Sequence, residues 1–117
     1  MKYLVTDDSK FARLNLIRSL KKLVGEDAPI YQAANGLEAL KIVKNESPEI
    51  IFLDLNMPVM DGYEAIPKIK ELHPKIKIIV VSADIQEKAQ AMVLSLGADI
   101  HVQKPINIDK MQELIDI

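Results

Sequence analysis

Ile50-Ile51-Phe52-Leu53-Asp54 is the stretch on which the reading of this chain turns. Four apolar residues in succession, with no polar alternation, describe a strand buried on both faces. A carboxylate follows at once, where such a strand would leave the core. Two further runs share the pattern: Tyr3–Thr6 leads into Asp7 and Asp8, and Ile76–Val81 leads into Ser82. Ile30–Ala33 and Ile100–Gln103 are weaker runs of the same kind, and the second leads into Lys104 and Pro105.

Amphipathic segments separate the runs. Phe11, Leu14, Ile17, Leu20 and Val24 recur at helical steps and predict one core-facing stripe, with Gly25 as the stop. Asn35 with Glu38 reads as an N-cap and its partner, ahead of Leu37, Leu40 and Val43. Asp61 with Glu64, and Asp84 with Glu87, repeat that arrangement, the latter ahead of Ala89, Met92, Val93 and Leu96. Ile108, Met111, Leu114 and Ile115 mark a last helix. Pro67 fits its helix poorly unless it falls in the first turn. Strand and helix thus alternate five times. That predicts an α/β fold, a doubly wound five-stranded parallel sheet with right-handed crossovers and helices on both faces.

Composition narrows the class. The chain has 117 residues, 49% of them hydrophobic, enough for one domain with its own core over 1–117. It has no cysteine, which excludes disulfides, thiolate metal sites and thiol catalysis. A net charge of −2 gives no electrostatic footprint for nucleic acid. No run approaches a membrane span or a signal peptide, so a cytoplasmic protein is expected.

In a parallel sheet of this kind, functional groups collect beyond the carboxyl ends of the strands. Asp7, Asp8, Asp54, Ser82 and Lys104 all stand there. Each acid alone is more often a turn residue or a cap, as Asp8 or Asp61 could be. Their joint placement changes the odds. Three carboxylates together repel and call for a cation. Oxygen donors without His or Cys suit a hard ion such as Mg²⁺. A carboxylate can itself accept a phosphoryl group, while a lysine and a serine hydroxyl can hold its oxygens.

The segment Asp54-Leu55-Asn56-Met57-Pro58-Val59-Met60-Asp61-Gly62 resembles the signature of bacterial response-regulator receivers, and the likeness runs from Asp7-Asp8-Ser9 to Lys104-Pro105 and the final helix. The resemblance implies a flavodoxin-like (βα)5 fold with strand order 2-1-3-4-5. It implies that Asp54 is the phosphoacceptor. Asp7, Asp8, Asp54 and the backbone carbonyl of Asn56 would hold Mg²⁺. Lys104 would pair with the phosphoryl group, and Ser82 would move toward it as the switch. The Lys104–Pro105 bond would be cis. The donor would be a sensor histidine kinase or phosphotransfer protein. A downstream output protein would read the surface of the fourth helix, fifth strand and fifth helix, roughly Ile85–Leu96, Ile100–Gln103 and Ile108–Ile117. The protein would be a monomer or a phosphorylation-dependent dimer, acting only in its own phosphorylation and dephosphorylation, as in chemotaxis or relay systems.

His101 departs from the family's usual Tyr or Phe at that position. It is either a surface residue or a looser, pH-sensitive version of the aromatic switch, titrating near ~6.5. Asn56 and Asp84 stand where the family tunes phosphate lifetime. A haloacid-dehalogenase-like phosphatase would need an acid where Asn56 stands, and a flavodoxin-like flavin carrier would need a hydroxyl- and glycine-rich loop where Asp7-Asp8-Ser9 stands. A degenerate receiver acting as a phosphorylation-independent interaction module is the remaining alternative.

Overall fold

The computed structural model describes residues 1–116. Its elements alternate as the sequence pattern predicts. They are β1 (Tyr3–Thr6), α1 (Lys10–Val24), β2 (Ile30–Ala33), α2 (Gly36–Glu46), β3 (Ile50–Leu53), α3 (Gly62–Leu72), β4 (Lys77–Ser82), α4 (Glu87–Leu96), β5 (Ile100–Gln103) and α5 (Ile108–Asp116). The five strands form one parallel sheet in the order β2-β1-β3-β4-β5. The expected end of the last helix at Ile117 lies outside the described residues.

The uniform apolar runs lie in the middle of the sheet because both its faces are covered. Strand alternation divides β1, β3 and β4 between two cores. Tyr3, Val5, Ile50, Phe52, Ile79 and Val81 pack against α1 and α5 through Ile17, Leu20, Met111 and Leu114. Leu4, Ile51, Leu53, Ile78 and Val80 pack against α2, α3 and α4 through Ala39, Val43, Ala65, Ile66, Ile69 and Val93. Phe52 is fully enclosed. Truncating so large a core side chain to alanine costs roughly 3–5 kcal/mol. The outer strands β2 and β5 are only partly covered, which is why their sequences alternate less cleanly.

The helix caps explain where the chain turns. Asn35 accepts from the Glu38 N–H at 2.9 Å, and Asp61 accepts from the Glu64 N–H at 2.9 Å, as the sequence suggests. Gly25 and Gly97, at φ +100° and +123°, end α1 and α4. Helix α4 differs from expectation. Gln86 stands at its N-cap without a side-chain bond, while Asp84 turns back to accept from the Gln86 N–H at 2.9 Å. Ser9, not Asp8, caps α1 by accepting from the Ala12 N–H at 3.2 Å. Pro67 lies in the second turn of α3 rather than the first, so the Tyr63 carbonyl lacks its helical donor.

The stripe expected on α1 is also corrected. Phe11 and Leu14 are exposed, while Ile17 and Leu20 are buried and Val24 packs beside them as expected, joined by Leu16 and Leu23. Leu37 and Met92 likewise face outward. No helix among the described residues is long and apolar enough to cross a membrane.

Candidate functional site

The parallel ladder continues one residue past each strand, and this places the site. The Asp7 N–H donates to the Ala33 carbonyl at 3.1 Å. The Asp54 N–H donates to Thr6 at 2.9 Å, and the Lys104 N–H donates to Ser82 at 2.9 Å. Three functional residues therefore have their backbones fixed by the sheet itself, and their side chains meet at its carboxyl edge. Asp7 and Asp54 are buried there, and Asp8 is exposed beside them. One carboxylate oxygen from each of the three lies within 4.8 Å of the others.

Lys104 is the cation in this group. Its Nζ lies 2.6 Å from Asp7 Oδ2 and 3.3 Å from Asp54 Oδ1. Asp7 Oδ1 also accepts from the Ser9 N–H at 2.9 Å, and Asp54 Oδ1 accepts from the Leu55 N–H at 2.9 Å. These bonds do not balance the charge. Burial, and then the neighbouring Asp7, hold the Asp54 carboxyl above its ordinary range, against the opposing pull of Lys104 and the Leu55 N–H. Burial works against the Lys104 charge, yet its bond to Asp7 and the two carboxylates outweigh it and raise its pKa. Three carboxylates set against one lysine leave the site with more negative charge than the lysine answers. Oxygen donors and a deficit of positive charge suit a hard divalent cation, so Asp7, Asp8 and Asp54 could hold a metal.

The loop leaving Asp54 is held tightly. The Gly62 N–H donates to the Leu55 carbonyl at 2.9 Å, and the Gly36 N–H donates to the Met60 carbonyl at 2.8 Å. A Cβ at Gly62 would lie 2.5 Å from the Asp54 carbonyl oxygen, so only glycine lets α3 begin this close to the acid. Asn56 sits in this loop, exposed.

Ser82 and His101 lie on the two strands beyond β3, β4 and β5. Ser82 is fully buried at the end of β4, and its hydroxyl accepts from the Asp84 N–H at 3.0 Å. His101 lies within β5, opposite Val80, rather than at the strand end. It is half-buried, and neither ring nitrogen meets a partner in hydrogen-bond geometry. Burial lowers its pKa, with the backbone and charge of Asp84 opposing. The surface reading of His101 is thus replaced by a half-buried one, and its titration falls below the ordinary value. The bond from Lys104 to Pro105 is cis.

Sequence reasoning missed Arg13, whose Nη1 donates to the Asp7 carbonyl at 2.7 Å and whose Nε donates to Gln32 at 3.1 Å. Its only signal is its place on the first turn of α1, as one of five basic residues on that helix.

The sequence pattern of the response regulator receiver domain matches residues 3–116. The chain is similar to sporulation initiation phosphotransferase F of Bacillus subtilis, 35% identical over 97% of this chain and 90% of that protein. Its fold is similar to a chain in the CheX-CheY-BeF3-Mg+2 complex from Borrelia burgdorferi, with a TM-score of 0.89 and 29% identity over 98% of this chain and 86% of that one. It is also similar to a response regulator protein from Burkholderia pseudomallei solved with a phosphorylated aspartic acid, calcium ion and citrate. There the TM-score is 0.87 and the identity 27%, over 97% of this chain and 65% of that one.

Proposed function

The chain belongs to the response regulator receiver family, and from that premise we propose that Asp54 is its phosphoacceptor. One observation carries the assignment. Asp54 is the buried acid at the centre of the carboxyl edge, joined to Lys104 and crowded by Asp7, with an unanswered negative charge. Its ionised oxygen is the nucleophile. The P–O bond to Asp54 forms as the P–N bond to the imidazole of a phosphohistidine breaks, and the electron pair leaves with the imidazole. Lys104 favours the ionised form of Asp54 against burial, and its ammonium then faces the transferred phosphoryl oxygens.

Mg²⁺ is the cation this donor set fits, held by Asp7, Asp8, Asp54 and the Asn56 carbonyl. When bound, it neutralises phosphoryl oxygens and the crowded carboxylates together. The donor is a sensor histidine kinase or phosphotransfer protein in the cytoplasm. The chain promotes its own phosphorylation and dephosphorylation and turns over no other substrate.

The new phosphate adds roughly −1.5 to −2 charge at the sheet edge. Ser82 answers it by leaving the Asp84 N–H and turning toward the phosphoryl oxygens. That exchange moves the β4–α4 loop and so reshapes the face of α4, β5 and α5, including His101, for an output protein. The test is intact mass after incubation with acetyl phosphate and Mg²⁺. Wild type gains one phosphate and Asp54→Asn gains none. A phosphate on the variant would refute the assignment.

A further inference from the structure

The connection from β2 to α2 supplies no acid, lysine or hydroxyl to the site, yet both loops that carry the metal donors are tied to it. Asp7 and Asp8 stand in the turn after β1, and Asn56 stands in the loop after β3. The Asp7 N–H donates to the Ala33 carbonyl of β2 at 3.1 Å. Arg13 holds the other side of Asp7. Its Nη1 donates to the Asp7 carbonyl at 2.7 Å, and its Nε donates to the Gln32 side-chain oxygen, also on β2, at 3.1 Å. The second loop is held by the Gly36 N–H, at the start of α2, which donates to the Met60 carbonyl at 2.8 Å.

The connection is itself stiff. Asn35 accepts from the Glu38 N–H at 2.9 Å, and Glu38 Oε1 accepts in return from the Ala34 N–H at 3.0 Å. A Cβ at Gly36 would lie 2.8 Å from both the carbonyl oxygen and the Cγ of Met60, so any larger residue pushes the β3–α3 loop away. Asp8 is exposed, and its carboxylate is therefore placed by the turn rather than by packing. Arg13 does not answer the charge of the acids. Both its bonds go to neutral acceptors, and it joins no ion pair among the described residues. A planar guanidinium suits a holding task, because its donors diverge in a fixed fork that a lysine ammonium lacks.

We propose that the β2–α2 connection is the positioning element of the metal site: Arg13, anchored on Gln32, sets the Asp7-Asp8 turn, and Gly36 sets the loop of Asn56 through Met60. This rests on Asp7, Asp8, Asp54 and the Asn56 carbonyl being the donors to a divalent cation. Charge and position predict opposite signs at Arg13. An arginine this close to three carboxylates repels an incoming cation, so by charge alone its removal would tighten Mg²⁺ binding. As a positioning residue, its removal weakens binding, and groups that orient metal ligands govern about 10–100-fold of affinity.

The test is calorimetric titration of Mg²⁺ into wild type, Arg13→Gln, Arg13→Lys, Gln32→Ala, the Arg13→Gln/Gln32→Ala pair and Gly36→Ala. Asp99→Ala, at the far edge of the sheet, controls for lost stability. Arg13→Gln and Gly36→Ala are expected to bind about tenfold more weakly. Arg13→Lys, which keeps the charge without the fork, is expected to fall with Arg13→Gln. Gln32→Ala should lose less, and the pair no more than Arg13→Gln alone, because Gln32 acts through Arg13. Asp99→Ala should bind as wild type does. Without metal, the Ser9 amide, held by Asp7 Oδ1 at 2.9 Å, should exchange faster with solvent in Arg13→Gln than in Asp99→Ala. Equal or tighter binding by Arg13→Gln overturns the role given to the β1 turn, and unchanged binding by Gly36→Ala overturns that given to the β3 loop. Additive losses in the pair overturn the anchoring on Gln32. An equal loss in Asp99→Ala means that affinity follows stability, and the whole proposal fails while the donor set stands. If wild type binds no Mg²⁺, the donor set itself falls.

Discussion

The two edges of the sheet use the same side chains to opposite ends. At the amino edge, Asp99 and Glu46 are answered. Asp99 accepts from the Ile78 N–H at 2.8 Å and pairs with Lys70 at 3.3 Å. Glu46 is held below its ordinary pKa by the Tyr31 hydroxyl at 2.9 Å and by Lys2 at 3.4 Å. At the carboxyl edge, three acids cluster with one lysine, which pairs with Asp7 and Asp54, and Asp54 is pushed the other way by burial and by Asp7. Carboxylates arranged for stability find donors, whereas this cluster is left short of positive charge. A perturbed acid in such a setting marks a site kept for a ligand rather than for folding.

The contrast can be broken most sharply at Gly62. Gly62→Ala forces a Cβ against the Asp54 carbonyl and the Leu55 backbone. Overpacking of this kind costs roughly 1–3 kcal/mol. Because the displaced backbone is that of the acceptor, acetyl phosphate labelling should be lost along with denaturant resistance. An alanine variant that labels like wild type would mean the site tolerates a shifted Asp54.

Asp99→Ala probes the opposite edge. It strands the Ile78 N–H and frees Lys70, at a cost of about 1–3 kcal/mol. Urea unfolding should register that loss, while the rate of phosphate uptake stays at the wild-type value. A slowed uptake would show the two edges to be coupled.

The smallest effect belongs to His101. Its folded pKa is lowered, so its contribution to stability is present above the unfolded value of ~6.5 and is lost as pH falls from there through the folded one. His101→Phe should flatten the fall in melting temperature between pH 7 and pH 5. Parallel curves for the two proteins would place the loss elsewhere.

The sequence exposed the site more fully than the packing. Asp7, Asp54 and Lys104 were legible because each follows a strand-like run, and a parallel sheet must bring such ends together. The helix faces were harder. Apolar residues stand on two sides of α1, so periodicity alone could not choose between Phe11 with Leu14 and Leu16 with Leu23. Only the position of α5 against the same sheet face decides it. Asp84 has the spacing of a cap but serves a turn one step earlier. The positive φ of Val59 was invisible, because nothing in a sequence reports the tight turn in which the Met60 N–H donates to the Pro58 carbonyl.

The most direct test of the unanswered charge is the melting of wild type and Asp54→Asn at pH 7.5, each with and without millimolar Mg²⁺. A raised carboxyl pKa in the folded state means that stability is full below the unfolded value and is lost as pH rises through the folded one, so at pH 7.5 the ionised Asp54 works against the fold. Without metal, Asp54→Asn should therefore melt higher, by several degrees if the relief approaches ~1 kcal/mol. Mg²⁺ should raise wild type by more than it raises the variant. A variant that melts below wild type without metal, or equal metal-induced shifts in the two proteins, would contradict the account.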